Sequence, residues 1–117
     1  MLKVKRVYDT ASDEDGYRIL VDRLWPRGIN KENAGIALWL KDIAPSDGLR
    51  KWFSHDQRRW SEFKEKYHQE LGEKDNLVSL VLEKMLSGDV TLLFGAKEEK
   101  FNNAVALEEY IAARQRT

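Results

Sequence analysis

The sequence predicts an α/β fold: a small, mostly parallel sheet of about four strands flanked by helices, in a Rossmann-like or flavodoxin-like three-layer architecture. Three observations predict it. Short apolar runs alternate with longer amphipathic segments of helical spacing. The run Ile19-Leu20-Val21 has no polar alternation, as befits a central strand covered on both faces. Capping residues and glycine stops mark helices between the runs, and strands separated by helices imply a parallel sheet.

The elements follow in order. Leu2, Val4 and Tyr8 alternate with polar residues, broken by Val7, which predicts strand one over 2–8. Thr10–Gly16 (TASDEDG) reads as a loop, its acidic run a solvated turn without the spacing of a calcium loop. Tyr17–Arg23 predicts strand two. Trp25-Pro26-Arg27-Gly28 must then turn, because proline cannot continue a ladder. Asn30 caps one helical turn through Gly35. Ala37–Ile43 is ambiguous and is read as strand three over 38–43, stopped by Pro45. Ser46 is the expected N-cap of a short helix through Phe53. Trp60, Phe63, Tyr67 and Leu71 recur at spacings of three and four up to Gly72, the pattern of an amphipathic helix. Asp75 is read as the cap of the next helix, with Leu77, Val81 and Met85 on one face and Gly88 at its end. Val90–Phe94 predicts the last strand. A final helix turns Phe101, Ala104, Leu107 and Ile111 inward.

Composition narrows the class. A chain of 117 residues is about one domain, expected over 1–117, and buries roughly two-thirds of its unfolded surface. Lys+Arg and Asp+Glu both number 20, and zero net charge counts against a protein built to coat nucleic acid or an acidic membrane. The absence of cysteine excludes thiol chemistry, disulfides and cysteine metal sites, and fits a reducing, cytoplasmic setting. MLKVKRVYD carries charges inside its apolar stretch, unlike a signal peptide, and no run approaches the length of a membrane span.

In a parallel α/β sheet, ligands bind beyond the carboxyl ends of the strands. The element map puts Tyr8-Asp9, Asp22-Arg23 through Arg27-Gly28, Pro45-Ser46 and Gly95-Ala96-Lys97 there, with Asn102 and Asn103 opening the last helix nearby. Asp22-Arg23, straight after an apolar strand, is either a structural ion pair or an arginine presented to an oxyanion and steadied by the aspartate. Pro26 and Gly28 would fix the direction of Arg27, a residue suited to bidentate oxyanion recognition. The candidate anion clamps are therefore Arg23, Arg27 and Lys97. Asp22 or Asp9 is the candidate general base, Asn102 and Asn103 are polar orienters, Ser46 is a further ligand contact and Trp25 a pocket wall. Arg18 and Arg50 fit surface salt bridges better. Trp52 and Trp60 read as core. His55 and His68 lack the spacing partner a metal needs, so no metal site is expected. No glycine-rich phosphate loop or dinucleotide fingerprint is present, and no cofactor is expected.

The segments Arg6–Asp9, Asp15–Gly28 (DGYRILVDRLWPRG), Ala44–Ser46 with Leu49-Arg50 and Trp52-Phe53, Trp60 with Phe63 and Tyr67, and Leu92–Lys97 (LLFGAK) occur in sequence. Together they closely resemble the YeaO-like branch of the domain of unknown function 488 family, over nearly the whole chain. The resemblance implies a small α/β protein of bacterial or archaeal type and assigns no biochemical role. Longer relatives in the wider family have an Asp-Val-Arg pattern after the second strand, of which Asp22-Arg23-Leu24 is the local version. They also have a Cys-His-Arg pattern opening the last helix, where the YeaO-like branch has Asn-His-Ala. This chain has Asn102-Asn103-Ala104, so thiol and imidazole are both missing. An amide cannot exchange a proton near neutral pH.

Two classes of function follow. One is a pocket that binds or acts on a phosphate- or carboxylate-bearing small molecule or nucleotide; the residues leave open whether it performs chemistry. The other is a non-catalytic interaction or nucleic-acid-associated module, with Lys3, Lys5 and Arg6 adding charge. Zero net charge ranks nucleic acid last among the partners, and the sequence is silent on oligomeric state.

Overall fold

The computed structural model describes residues 1–115 of the 117. Four parallel strands form one sheet: β1 (Leu2–Arg6), β2 (Tyr17–Leu20), β3 (Leu38–Trp39) and β4 (Val90–Phe94), in the order β1-β4-β2-β3. The helices are α1 (Asp47–Phe53), α2 (Trp60–Leu71), α3 (Asp75–Ser87) and α4 (Asn103–Gln115). β2 lies inside the sheet, as its unbroken apolar run predicts.

Strand alternation sorts the two faces. Ile19, Val21, Val90, Leu92 and Phe94 join one core with residues from all four helices, among them Phe53, Phe63, Val78 and Leu107. Leu20 and Leu93 face the other way and meet Val7 and Ile36, with Trp25, Ile29 and Trp39 packed over them. The third layer is thus the long β2–β3 connection rather than a helix. Further along that face, Lys5 and Arg18 both pair with Asp15, which the β1–β2 loop folds in, and Thr91 donates to the Asp15 carbonyl.

Several boundaries differ from the expectation. β1 stops at Arg6, although Val7 N–H still donates to the Phe94 carbonyl; Tyr8 turns its hydroxyl to the Arg27 carbonyl instead of pairing. Regular pairing in β2 ends at Leu20, with one more bond from Val21 N–H to Leu93. β3 is two residues long, because a 3-10 turn over Lys41–Ile43 bends the chain away before Pro45. The Asn30–Gly35 segment is a turn, capped by Asn30 as expected. Asp75 is the first residue of α3 and makes no cap bond; Lys74 occupies the cap position. Asp15 and Arg18, expected at the surface, are 6% and 4% exposed, each compensating the other's buried charge. Phe101 precedes α4 rather than belonging to it.

Gly16 is needed where it stands. Its φ is +65°, and a Cβ there would lie 2.1 Å from the Asp89 carbonyl oxygen, where the loop meets the start of β2 and β4.

Candidate functional site

A cavity of about 440 Å³ opens on the helical side, at the carboxyl ends of β2 and β4. This is where a parallel sheet parts its connections. Asp22 and Arg23 enter from the end of β2, Ala96, Asn102 and Asn103 from the β4–α4 connection, and Ala44 and Pro45 from the turn before α1. Phe53, Phe63 and Phe101 form its aromatic wall. Phe53 stacks on Phe63 with ring centroids 4.3 Å apart, and Phe101 meets Trp60 edge-on.

Asp22 is held by neutral donors. Its Oδ2 accepts from Gly95 N–H at 2.8 Å and its Oδ1 from Asn103 Nδ2 at 3.0 Å. Burial pushes its carboxyl above the ordinary aspartate range, against the opposing pull of the Asn103 and Gly95 bonds. Gly95 suits this contact: a Cβ at that position would sit 3.2 Å from Asp22 Oδ2 and 3.7 Å from Pro26. Asn103 also donates to the Val21 carbonyl. Asn102 is buried and caps α4, its Oδ1 accepting from Val105 N–H and its Nδ2 donating to the Glu98 carbonyl.

Arg23 is largely engaged by backbone. Its Nε donates to the Pro45 carbonyl and its Nη2 to the Ala44 carbonyl, both at 3.3 Å. Lys74 Nζ donates to the same Ala44 oxygen, and the buried Tyr67 hydroxyl donates to Ile43. Glu70 completes the clasp by accepting from Ser46 N–H and Oγ. Three successive carbonyls and the next amide are thus held by side chains.

The rim is basic. Arg50, Lys51 and His55 line it and are exposed; Arg50 pairs loosely with Asp47 at 3.4 Å. Ser54 and His55 both take left-handed backbone, φ 46° and 58°, where α1 ends and the chain turns toward α2. Two successive non-glycine residues in this region are costly and mark a turn fixed by its surroundings.

The structure therefore brings together Asp22, Arg23, Asn102 and Asn103 among the expected site residues. It does not bring in the others. Arg27 and Lys97 are exposed and do not line the cavity; the β2–β3 connection carries Arg27 toward the opposite face of the sheet, where its carbonyl accepts from Tyr8, and Lys97 points outward beside the lining residue Ala96. Asp9 is exposed beside the β1 end. Trp25 packs edge-on against Trp39 in the second core and donates to the Ile29 carbonyl. Ser46 caps α1. The residues that sequence reasoning missed are Lys51, Ser54, His55 and the aromatic wall. Arg50 does make the surface ion pair expected of it, yet also lines the rim. Helical periodicity marked Phe63 as core; that it also borders a cavity has no signature in spacing. Among the described residues, no His, Asp and Glu side chains cluster as a metal site would need. Among them, too, no helix is long and apolar enough to cross a membrane.

A family model described as "Inactive DUF488-N3 subclade" matches residues 1–117. The chain belongs to the DUF488-N3i family. This DUF488-N3i chain is 40% identical to "Uncharacterized protein YeaO" of Escherichia coli (strain K12) over 110 residues, covering 94% of the chain and 96% of that protein. It is 43% identical over 79 residues to "Uncharacterized protein Rv3073c" of Mycobacterium tuberculosis (strain ATCC 25618 / H37Rv), 68% of this chain and 67% of the relative. No solved structure matches it significantly. In the DUF488-N3i chain, the Asn103 amide makes two donor contacts, to Asp22 and Val21, that a single imidazole nitrogen could not make together.

Proposed function

We propose that the DUF488-N3i cavity is a non-catalytic binding site for a small anionic molecule. The observation that carries this reading is the charge of the lining: Arg50 and Lys51 at the rim and Arg23 at the wall, against Asp22 as the one acidic lining side chain among the described residues. A concave site with low-dielectric walls focuses such a field and concentrates anions. Binding without chemistry is favoured by the site's proton inventory. Asn103 is an amide, which exchanges no proton near neutral pH, while Gly95 N–H and Asn103 Nδ2 occupy one acceptor site on each Asp22 oxygen and leave the others to receive a ligand's donor. The word "Inactive" in the family description agrees with this reading.

The test is calorimetry with phosphate, sulfate, acetate and citrate at low and high salt. At least one should bind, more weakly at high salt. Replacing Arg50 and Lys51 together with Ala should weaken the hit about tenfold or more, the scale of a lost charged hydrogen bond. Equal binding by the double variant, or no binding by any anion, overturns the reading.

A further inference from the structure

The cavity is not uniformly cationic. Its basic groups Arg50 and Lys51 stand at the rim, while a carboxyl stands at the sheet end. The donors to that carboxyl, Gly95 N–H and Asn103 Nδ2, are both neutral. The adjacent Arg23 gives its Nε and Nη2 to the carbonyls of Pro45 and Ala44 rather than to Asp22. A carboxyl beside an apolar wall without a cation is costly unless further donors reach it. A bare anion would satisfy the rim but would bring like charge toward Asp22. Phe53, Phe63 and Phe101 make up the aromatic wall; Phe53 and Phe63 stack on each other, and the half-buried Phe101 is the ring best placed to lie beside a flat ligand ring. A volume of about 440 Å³ suits a ligand of that size.

We propose that the ligand is an amino-heteroaromatic ring carrying an anionic tail, the chemistry of a nucleoside monophosphate. Its N–H edge meets Asp22, its ring lies against the phenylalanines, and its phosphate meets Arg50 and Lys51. The assignment rests on reading the cavity as anion-preferring. It adds the requirement for a donor edge and a ring, which a simple anion clamp does not have.

The experiment is a calorimetric comparison of the 5′-monophosphates of adenosine, guanosine, cytidine and uridine with ribose 5-phosphate, the four nucleosides and inorganic phosphate. At least one base-bearing monophosphate should bind about tenfold or more tighter than ribose 5-phosphate and than its own nucleoside, since one hydrogen bond to a charged group is worth that factor. Asp22→Asn should lose this advantage without weakening the binding of ribose 5-phosphate. Should that variant unfold, saturation-transfer contacts from ring protons of the nucleotide to Phe101 in the unmodified protein carry the same information. Ribose 5-phosphate binding as tightly as every monophosphate overturns the ring while leaving the anion site standing. Nucleosides binding as tightly as their monophosphates overturn the anion site. No binding by any of these probes or by the simple anions overturns both.

Discussion

The amide nitrogen of Asn103, from the first turn of α4, lies 3.0 Å from Oδ1 of Asp22 and 3.1 Å from the Val21 carbonyl, so one side chain closes the gap between α4 and the end of β2. Asn103→Ala removes one of the two donors that oppose the desolvation of Asp22. The Asp22 carboxyl should then titrate higher than in the unmodified protein, read from its side-chain carbon resonance across a pH series. An unchanged midpoint would show that the Asn103 bond contributes nothing to the ionised form.

Asp22 also sets a pH dependence of stability. Its folded pKa lies above the ordinary value of 3.8. The stability it contributes is therefore complete below 3.8 and is lost as pH rises through the folded value. Asp22→Asn should lack this term. Its denaturation midpoint relative to the unmodified protein should climb as pH rises from below 3.8 toward neutrality and then level off. A difference that stays flat across the series would refute this.

Asp15 acts in the opposite sense. Burial works against its charged form, but the Ser12 N–H, Lys5 and Arg18 outweigh that and hold its carboxyl below the usual range. The stability it contributes is present above 3.8 and is lost as pH falls through the folded value. Asp15→Ala should cost about 3–5 kcal/mol at neutral pH, because it strands the buried Arg18 guanidinium. Nη2 of Arg18 already has no partner among the described residues. Urea denaturation at neutral pH measures the loss; a cost below about 1 kcal/mol would mean that water replaces the carboxylate.

Phe63→Ala should cost about 3–5 kcal/mol, the range for emptying a buried aromatic site. Phe63 is 2% exposed and stacks on Phe53. The same change should enlarge the cavity, since this ring forms part of its wall. An unaltered chemical denaturation midpoint would refute the packing role.

Gly95→Ala places a methyl 3.2 Å from Asp22 Oδ2 with Pro26 close behind. Either the carboxylate or the Pro26 turn must shift, at about 1–3 kcal/mol for a crowded interior site. The expected signature is a displaced Asp22–Gly95 hydrogen bond, seen as a changed Gly95 amide shift and faster exchange of that amide. A variant with native exchange at this amide would show that the site has slack.

What the sequence revealed divides by physical range. Local signals were legible: the apolar run at Ile19–Val21, the Ser46 cap and the 60-63-67-71 spacing each became the element they suggested. Strand ends were less so. Whether Leu40 pairs or bends depends on the Lys41–Ile43 turn, which no residue type announces. At the site, Asp22 and Asn103 are 81 residues apart and were brought together by knowing where strands end. The exclusion of Arg27 depended on which face of the sheet the β2–β3 connection crosses, and that of Lys97 on which residues of the β4–α4 connection turn inward, choices that residue patterns do not encode. Asp15 and Arg18 misled because charge reads as surface, and their mutual compensation is visible only in three dimensions.

The Ile43–Ser46 turn consists of backbone groups gripped by side chains from elsewhere: Arg23, Tyr67, Glu70 and Lys74. Each grip but the one on the Ser46 hydroxyl falls on an atom that every amino acid possesses, or every one but proline in the case of the Ser46 N–H. The instructions for the shape of this cavity wall are therefore written mainly in α2 and its exit, not in the wall itself. Mutational tolerance should be inverted accordingly. Ala44 can exchange for residues of similar size while the wall keeps its outline, whereas Tyr67→Phe, which alters no residue of the turn, releases the Ile43 carbonyl and blurs it.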